Sequence, residues 1–465
     1  MNRNIKWSGS LALIGFVAIL AVISSCNTVN IQEKPNILFI LIDDMGWGDI
    51  GYNSHDILSP NLDMLAEEGL KFNQHYVHPE CTPTRVSLMT GRYATRYGVH
   101  CSGACNEQAL PFGTETLASA LKSVGYTTAI SGKWHLGSLP EWGPLKYGFD
   151  YSYGGLAGAL GMYDHRYRLN RPPYTRSWHR MDEYVDEEGH AYDLVTDNAI
   201  DLLENKFQED KPFFLYLPYH GVHTPLVESE EWLEYNKHIS NPSRQLFGAA
   251  VSHLDHQIGR VIDALERSGR RENTLIIVSS DNGGFPNYRG GQYPPPDPEL
   301  TNFSSNGPLH GQKGQPYEGG IRVPAFVTWP GIIEPGMLHT PVHVMDWMPT
   351  LCKLTAYEAD GDLKWDGQDI WPYIIGDKSE ADTPRRFYWN YWNIRMALRD
   401  GDWKLVYPKE NSAAELYNLA LDPNEKDDLA QTEPEQLNRL INLLEEERAL
   451  DQHGRAPWLP EEENN

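Results

Sequence analysis

Apolar runs and helix-period stripes alternate along most of this chain. Ile37–Ile42 is an unbroken apolar run, the pattern of a strand buried on both faces, as in a parallel sheet. Ser59-Pro60 then opens a helix with Leu62, Leu65 and Ala66 on one face, and Gly69 closes it. A second helix carries Leu117, Leu121 and Val124 on one face and ends at Gly125, with the strand Tyr126–Ser131 directly after it. Pro212–Pro218 and Leu275–Ser280 read as two more buried strands. Between them a helix runs from about Gln245 to Ser268, with Ala249, His253, His256 and Arg260 at helical spacing. This alternation predicts an α/β domain with a mainly parallel sheet flanked by helices.

After about residue 372 the pattern changes. Phe387–Tyr391, Met396–Arg399 and Trp403–Tyr407 are short runs joined by turn signals such as Asp400-Gly401, which predicts an antiparallel sheet. Leu437–Leu450 follows as an amphipathic helix. The expected organisation is a main domain over residues 34–372 and a smaller C-terminal antiparallel-sheet domain over 373–465.

In open α/β sheets, ligands bind beyond the carboxyl ends of the strands. The first strand here ends in Asp43-Asp44 and the second in Gly132-Lys133-Trp134-His135. The third ends in His220-Gly221-Val222-His223 and the fourth in Asp281-Asn282-Gly283-Gly284. Four strand ends thus bring carboxylates, an amide, a lysine and histidines to one rim. Asp43, Asp44, Asp281 and Asn282 form a hard-oxygen set suited to Ca²⁺; Mg²⁺ is less tolerant of irregular ligand geometry.

The first 25 residues are of another kind. Arg3 and Lys6 precede an apolar run, Leu11–Ile23, too short for a spanning helix and typical of a secretory signal. Its ending, Ile23-Ser24-Ser25-Cys26, resembles a bacterial lipobox, in which the Cys becomes a lipidated N-terminus; plain signal cleavage is the alternative. Either way export is expected, to the periplasm or, as a lipoprotein, to the outer membrane or cell surface. Membrane contact would run only through the lipid anchor. Loss of Arg3 and Lys6 with the leader moves the formal net charge from −25 to −27, which speaks against general binding to nucleic acid. Five cysteines are too few for a disulfide scaffold. Cys101 and Cys105 are close enough to pair, no second Cys/His pair completes a zinc site with them, and Cys352 sits in an apolar helical stretch as a packing residue.

Cys81-Thr82-Pro83-Thr84-Arg85 heads a helical pattern that continues through Leu88 and Met89 to Thr90-Gly91-Arg92. Pro83 suits a first helical turn, so Cys81 should lie at a helix N-terminus, where the backbone favours an anion. The motif resembles the C-x-P-[ST]-R signature of formylglycine-dependent sulfatases, with Thr84 in place of the commoner Ser. Gly132-Lys133-Trp134-His135-Leu136-Gly137 matches that family's second signature. His223-Thr224-Pro225 and His310-Gly311-Gln312-Lys313-Gly314, leading to Glu318-Gly319-Gly320, match two further positions. Glu415–Leu419 with Asp422-Pro423 looks like the family's C-terminal domain. The resemblance runs from about Asn36 to Trp329 and is strongest to the arylsulfatase B (N-acetylgalactosamine-4-sulfatase) branch.

The resemblance implies an alkaline-phosphatase-like core, oxidation of Cys81 to formylglycine by a maturation enzyme, and a covalent sulfate intermediate. One hydroxyl of the hydrated aldehyde would attack sulfur and the other would expel sulfate. Arg85 would fix the diol and bind sulfate oxygens, Lys133 neutralise sulfate charge, and His135 bind or deprotonate a diol hydroxyl. His223 and Lys313 would contact the bridging ester oxygen as the alcohol leaves. Position 81 would join Asp43, Asp44, Asp281 and Asn282 around the calcium ion. His220 is the less favoured member of its pair, and His253 and His256 are expected to be structural or surface residues.

Residues 165–180 hold Arg166, Arg168, Arg171, Arg176 and Arg180, with His165 and His179 and no acidic residue. Tyr167, Tyr174 and Trp178 are interleaved with them. Such an island suits a sulfated or carboxylated sugar chain; the alternative is a surface loop whose arginines pair with distant acids. The expected function is hydrolysis of sulfate esters on a glycosaminoglycan or an algal polysaccharide fragment such as ulvan. The rivals are a phosphodiesterase or phosphonate monoester hydrolase of the same superfamily, and a silent glycan-binding lipoprotein in which Cys81 stays a thiol.

Overall fold

Two seven-residue runs, Asn36–Ile42 and Thr274–Ser280, lie side by side and buried throughout at the centre of a ten-stranded sheet. The computed structural model describes residues 1, 34–167, 173–287, 303–378, 385–454 and 456–459, so the leader after Met1, and Cys26, lie outside the described residues. The sheet order is Gly336–Leu338, Leu70–Phe72, Ala325–Thr328, Thr274–Ser280, Asn36–Ile42, Phe213–Pro218, Thr127–Ser131, Tyr151–Gly155, Trp178–Arg180 and Glu183–Tyr184. From Thr274–Ser280 to Tyr151–Gly155 the neighbours are parallel, as the continuous apolar runs predict.

Leu38, Ile40 and Ile42 face one layer of helices, Pro60–Glu67, Ala191–Asp201 and Pro242–Arg267, through Leu62, Val195, Leu254 and Ile258. On the opposite face Phe39 meets Trp347 of the helix Trp347–Leu354 edge-on. The long helix begins at Pro242, three residues before the position its apolar stripe suggests. Asn241 caps it by accepting from the Arg244 N–H, and a polar first turn leaves no hydrophobic signal. Cys352 is buried in Trp347–Leu354, as expected. Among the described residues no helix is long and apolar enough to cross a membrane.

Beyond residue 385 the chain builds a four-stranded antiparallel sheet from Arg386–Tyr391, Arg395–Asp400, Trp403–Tyr407 and Glu415–Asn418. Leu440 and Leu444 of the helix Pro434–Arg448 close one core with Phe387, Trp389, Leu398 and Leu405. That core is continuous with Tyr76, Tyr93, Ile321 and Met345, and Lys34–Asn465 forms one compact unit. Lys404 is fully buried between Glu318 (2.8 Å) and Glu425 (2.7 Å), fastening this sheet to the segment that follows Lys313.

Three histidines, His75, His78 and His343, are buried in this region. Burial drops His75 and His78 to about 3 and holds His343, flanked by His78, well below its usual value. The unfolded chain therefore takes up protons below about pH 6.5 that the folded chain refuses, and stability drains as the pH falls through that range. His343 Nδ1 accepts from the Met345 N–H at 3.3 Å, a role an asparagine oxygen can keep. His343→Asn should therefore flatten the rise of stability with pH between 5 and 7 by about 1 kcal/mol per pH unit. Urea unfolding at three pH values measures this; identical slopes would mean that His343 protonates as readily folded as unfolded.

Candidate active site

Thr274–Ser280, Asn36–Ile42, Phe213–Pro218 and Thr127–Ser131 are consecutive neighbours in the sheet, so the four polar strand ends share one rim. Gly132 makes the close packing possible. Its φ is +134°, and a Cβ there would lie 1.9 Å from the Pro218 carbonyl oxygen. Backbone bonds lock the rim: Asp43 N–H donates to Gly221 O at 2.7 Å, and Val222 N–H donates to Asp43 O at 2.6 Å.

Cys81 opens the helix Cys81–Thr90 after an extended Glu80, and all ten helical residues are buried. Arg85, one turn on, donates to Asp281 Oδ2 through Nη2 (2.7 Å) and Nε (3.2 Å), and through Nη1 to the Lys133 carbonyl (2.9 Å). Lys133 Nζ meets Asp43 Oδ2 at 2.5 Å. Lys313 Nζ bridges both Asp44 oxygens (2.6 and 2.9 Å) and stands 3.4 Å from Glu80. His223 holds Thr224 O through Nδ1 (2.5 Å) and turns Nε2 toward Asp44 (3.7 Å). His135 Nε2 lies 3.4 Å from Thr82 Oγ1. The candidate residues at the strand ends and at the Cys81 motif, His220 apart, therefore converge on one place. His220 is buried behind it, against Trp178.

Burial dominates the electrostatics. It pushes the Cys81 thiol up to about 12, which leaves it protonated and a poor nucleophile. It drops His223 to about 3 and His135 well below its usual value, with Lys313 and Lys133 adding to both shifts, so both rings are neutral at pH 7. Asp43 is raised by burial and by Asp281; Asp44, despite its burial, is held below the usual range by Lys313 and His223.

The residues present fit a hard cation. Asp43 Oδ1 and Asn282 Oδ1 are buried without a hydrogen-bond partner, and Asp43, Cys81 and Asp281 offer ligand atoms within 4.8 Å of one another. A second group among the described residues, His190, Glu228 and His253, is of a different kind. His253 bonds Glu228 (2.9 Å) and Asp193 (3.3 Å), and those bonds, against burial, raise it to about 9. It is a buried imidazolium between two acids, the structural role expected of it. Cys101 and Cys105 are free thiols.

Above the cysteine opens a cleft of about 440 Å³, lined by Glu80, Tyr167, His223, Lys313, Tyr391, Trp392 and Arg395, among others. Sequence reasoning missed Glu80, Tyr391, Trp392 and Arg395; a cluster of aromatics ending at a turn was the available signal. Of the arginine island, Arg166 and Arg176 pair with Asp186, and Arg180 pairs with Glu187. Arg168 and Arg171 lie outside the described residues.

Acids at the strand ends, with two lysines, an arginine and two neutral histidines around a buried helix N-terminus, make a pocket whose charges suit a tetrahedral oxyanion. Residues 35–357 match the family model described as Sulfatase. The chain is 36% identical to mouse (Mus musculus) arylsulfatase J over 82% of its length, spanning 62% of that protein. It is 33% identical to mouse N-acetylgalactosamine-6-sulfatase over 80% of its length and 72% of that protein. The solved structure of Ps i-CgsB in complex with k-i-k-neocarrahexaose superposes with a TM-score of 0.79 at 29% identity, covering 90% of this chain and 94% of that one. The chain belongs to the sulfatase family, whose members are sulfuric ester hydrolases.

Proposed function

We propose that this protein hydrolyses sulfate esters of a sulfated carbohydrate, a glycosaminoglycan or algal polysaccharide fragment, using a formylglycine derived from Cys81 and one calcium ion. The observation that carries the reading is the gathering of Arg85, Lys133, Lys313, His135 and His223 around one buried cysteine that is inert as a thiol. Relatives named as sulfatases, and a similar structure solved with a carrahexaose, support a saccharide ester as substrate. The basic, apolar leader supports export, with Cys26 as its lipid anchor, and residues 34–372 and 373–465 are taken as catalytic domain and C-terminal subdomain.

Oxidised to formylglycine, residue 81 supplies a hydrated aldehyde, one hydroxyl to attack sulfur and a second to release sulfate. Asp43, Asp44, Asp281, Asn282 and position 81 would hold calcium, which would supply positive charge to the bound sulfate. The chain's own groups do the rest. Arg85, anchored on Asp281 and the Lys133 carbonyl, stands one helical turn from position 81 and orients it. Lys133 and Lys313, now neutralising Asp43 and Asp44, are the cations a sulfate would share. Neutral His135 can accept a proton from a hydroxyl at position 81. Lys313 can protonate or polarise the bridging oxygen, and His223, its ring fixed by Thr224 and neutral in the empty site, can do the same only once the charge of a bound sulfate has put a proton on Nε2.

Sulfate and phosphate release from matched aryl esters tests the reaction class; faster phosphate release would favour the phosphohydrolase rival. The leaving-group roles have their own test, because a sugar alkoxide needs help that nitrophenolate does not. His223→Ala and Lys313→Ala should lower kcat/KM for a sugar sulfate by roughly 10²- to 10⁴-fold and for nitrophenyl sulfate far less. Lys133→Ala should lower both comparably. Equal losses for His223→Ala on the two substrates would make it a sulfate-binding residue instead.

A further inference from the structure

The turn between Arg386–Tyr391 and Arg395–Asp400 holds a large aromatic side chain in an unfavourable backbone conformation at the cleft wall. Trp392 and Asn393 have φ of +50° and +58°, in the left-handed region that tryptophan rarely adopts. The surroundings over-determine it. Trp392 N–H donates to Ser102 Oγ at 2.9 Å, and Asn390 and Asn393 are latched by two hydrogen bonds (2.8 and 2.9 Å). The indole lies so close over Gly103 that a Cβ there would stand 2.5 Å from the ring. It stacks on Tyr391 at 5.3 Å and 18°, and the Arg395 guanidinium sits 5.6 Å from the other ring, tied to Gly314 O and Pro408 O. Despite this fixing, Trp392 is 42% exposed.

A chain of contacts leads from this platform to the reacting position. Tyr391 OH reaches Glu80 Oε2 at 3.5 Å, and Glu80 Oε1 accepts from Cys81 Sγ at 3.7 Å. A sulfate at position 81 would therefore leave its alcohol beside Tyr391 and Trp392. We propose that Trp392, through the part of its indole that Gly103 and Tyr391 leave open, is a specificity-determining platform against which the pyranose ring of the leaving alcohol packs with its apolar C–H face. This rests on the reading of the cleft as a sulfate ester site. The strained backbone at Trp392 then has a role: it aims a rigid apolar surface into a cleft that also carries Glu80, Lys313 and Arg395.

The test compares Trp392→Ala and Trp392→Phe with the wild type on a sulfated disaccharide, with inorganic sulfate as competitive inhibitor. Trp392→Ala should raise KM for the disaccharide about 10- to 50-fold with kcat little changed, and Trp392→Phe should restore most of the affinity. The inhibition constant of inorganic sulfate should stay the same in all three. A parallel rise in that constant, or an unchanged KM, would overturn the platform. Calorimetric titration of the disaccharide keeps the two readings apart. Binding that depends on Trp392 in a wild type that cleaves no sulfate ester would uphold the platform and overturn the sulfatase mechanism.

Discussion

Cys81→Ala should lower kcat/KM on any sulfate ester by about 10⁵-fold or more, with the melting temperature within a few degrees of wild type. Removing a nucleophile from an intact site typically costs that much, because the rest of the machinery then has nothing to deliver. The alanine is small enough for a space that already holds a buried thiol, and the Sγ contact to Glu80 is long, 3.7 Å, so little stability depends on it. Mass analysis of the tryptic peptide containing position 81 supplies the chemical half of the test. In active protein the thiol should be replaced by an aldehyde or its hydrate. Full turnover by the alanine variant, or by protein carrying only the thiol, would end the formylglycine mechanism.

Asp281→Asn should abolish both activity and calcium-dependent stabilisation. Wild-type protein given calcium at about a hundred times its dissociation constant should gain about 2.7 kcal/mol, seen as a higher melting temperature, and chelator should reverse it. Asparagine is the informative substitution. Both variants remove the charge partner of buried Arg85, but alanine also removes its hydrogen-bond acceptor, at a cost of about 3–5 kcal/mol, and would confuse metal loss with unfolding, whereas an asparagine Oδ1 can still accept from Arg85. The asparagine variant should melt alike with and without calcium, and elemental analysis should find it empty. A variant that still gains stability from calcium would remove Asp281 from the ligand set. A wild type fully active after exhaustive chelation would remove the metal from the mechanism.

The chemistry of this site is legible in the sequence because it hangs on strand ends. A buried parallel strand announces itself as an unbroken apolar run, and the polar residues that stop the run are thereby placed on the rim. Asp43, Lys133, His223 and Asp281 were found in this way, and the sheet order makes their strands neighbours. What lay beyond reach came from elsewhere. Trp392 and Arg395 arrive from a hairpin in the second sheet, and no local pattern says where that hairpin docks. Glu80 reads as an ordinary residue before a helix until Lys313 is seen 3.4 Å away. The arginine-rich segment left two readings open, a free positive island or arginines paired with acids elsewhere. For Arg166, Arg176 and Arg180 it is the second, since Asp186 and Glu187, a few residues later, pair with them.

The burial of all ten residues of Cys81–Thr90 has a consequence for how such a protein is made. An enzyme that oxidises Cys81 has to grip the residues around it, and in the finished fold Cys81 is 2% exposed and its Thr82, Pro83 and Arg85 neighbours are sealed as well. On the proposed mechanism, oxidation would then belong to the interval between synthesis and collapse, and its yield would be set by a race. Chains that closed first would be trapped with a thiol, and no later meeting with a maturation enzyme would rescue them short of unfolding. The specific activity of a preparation would accordingly record how quickly its chains folded when they were young, and purification by stability or size would leave the two populations mixed.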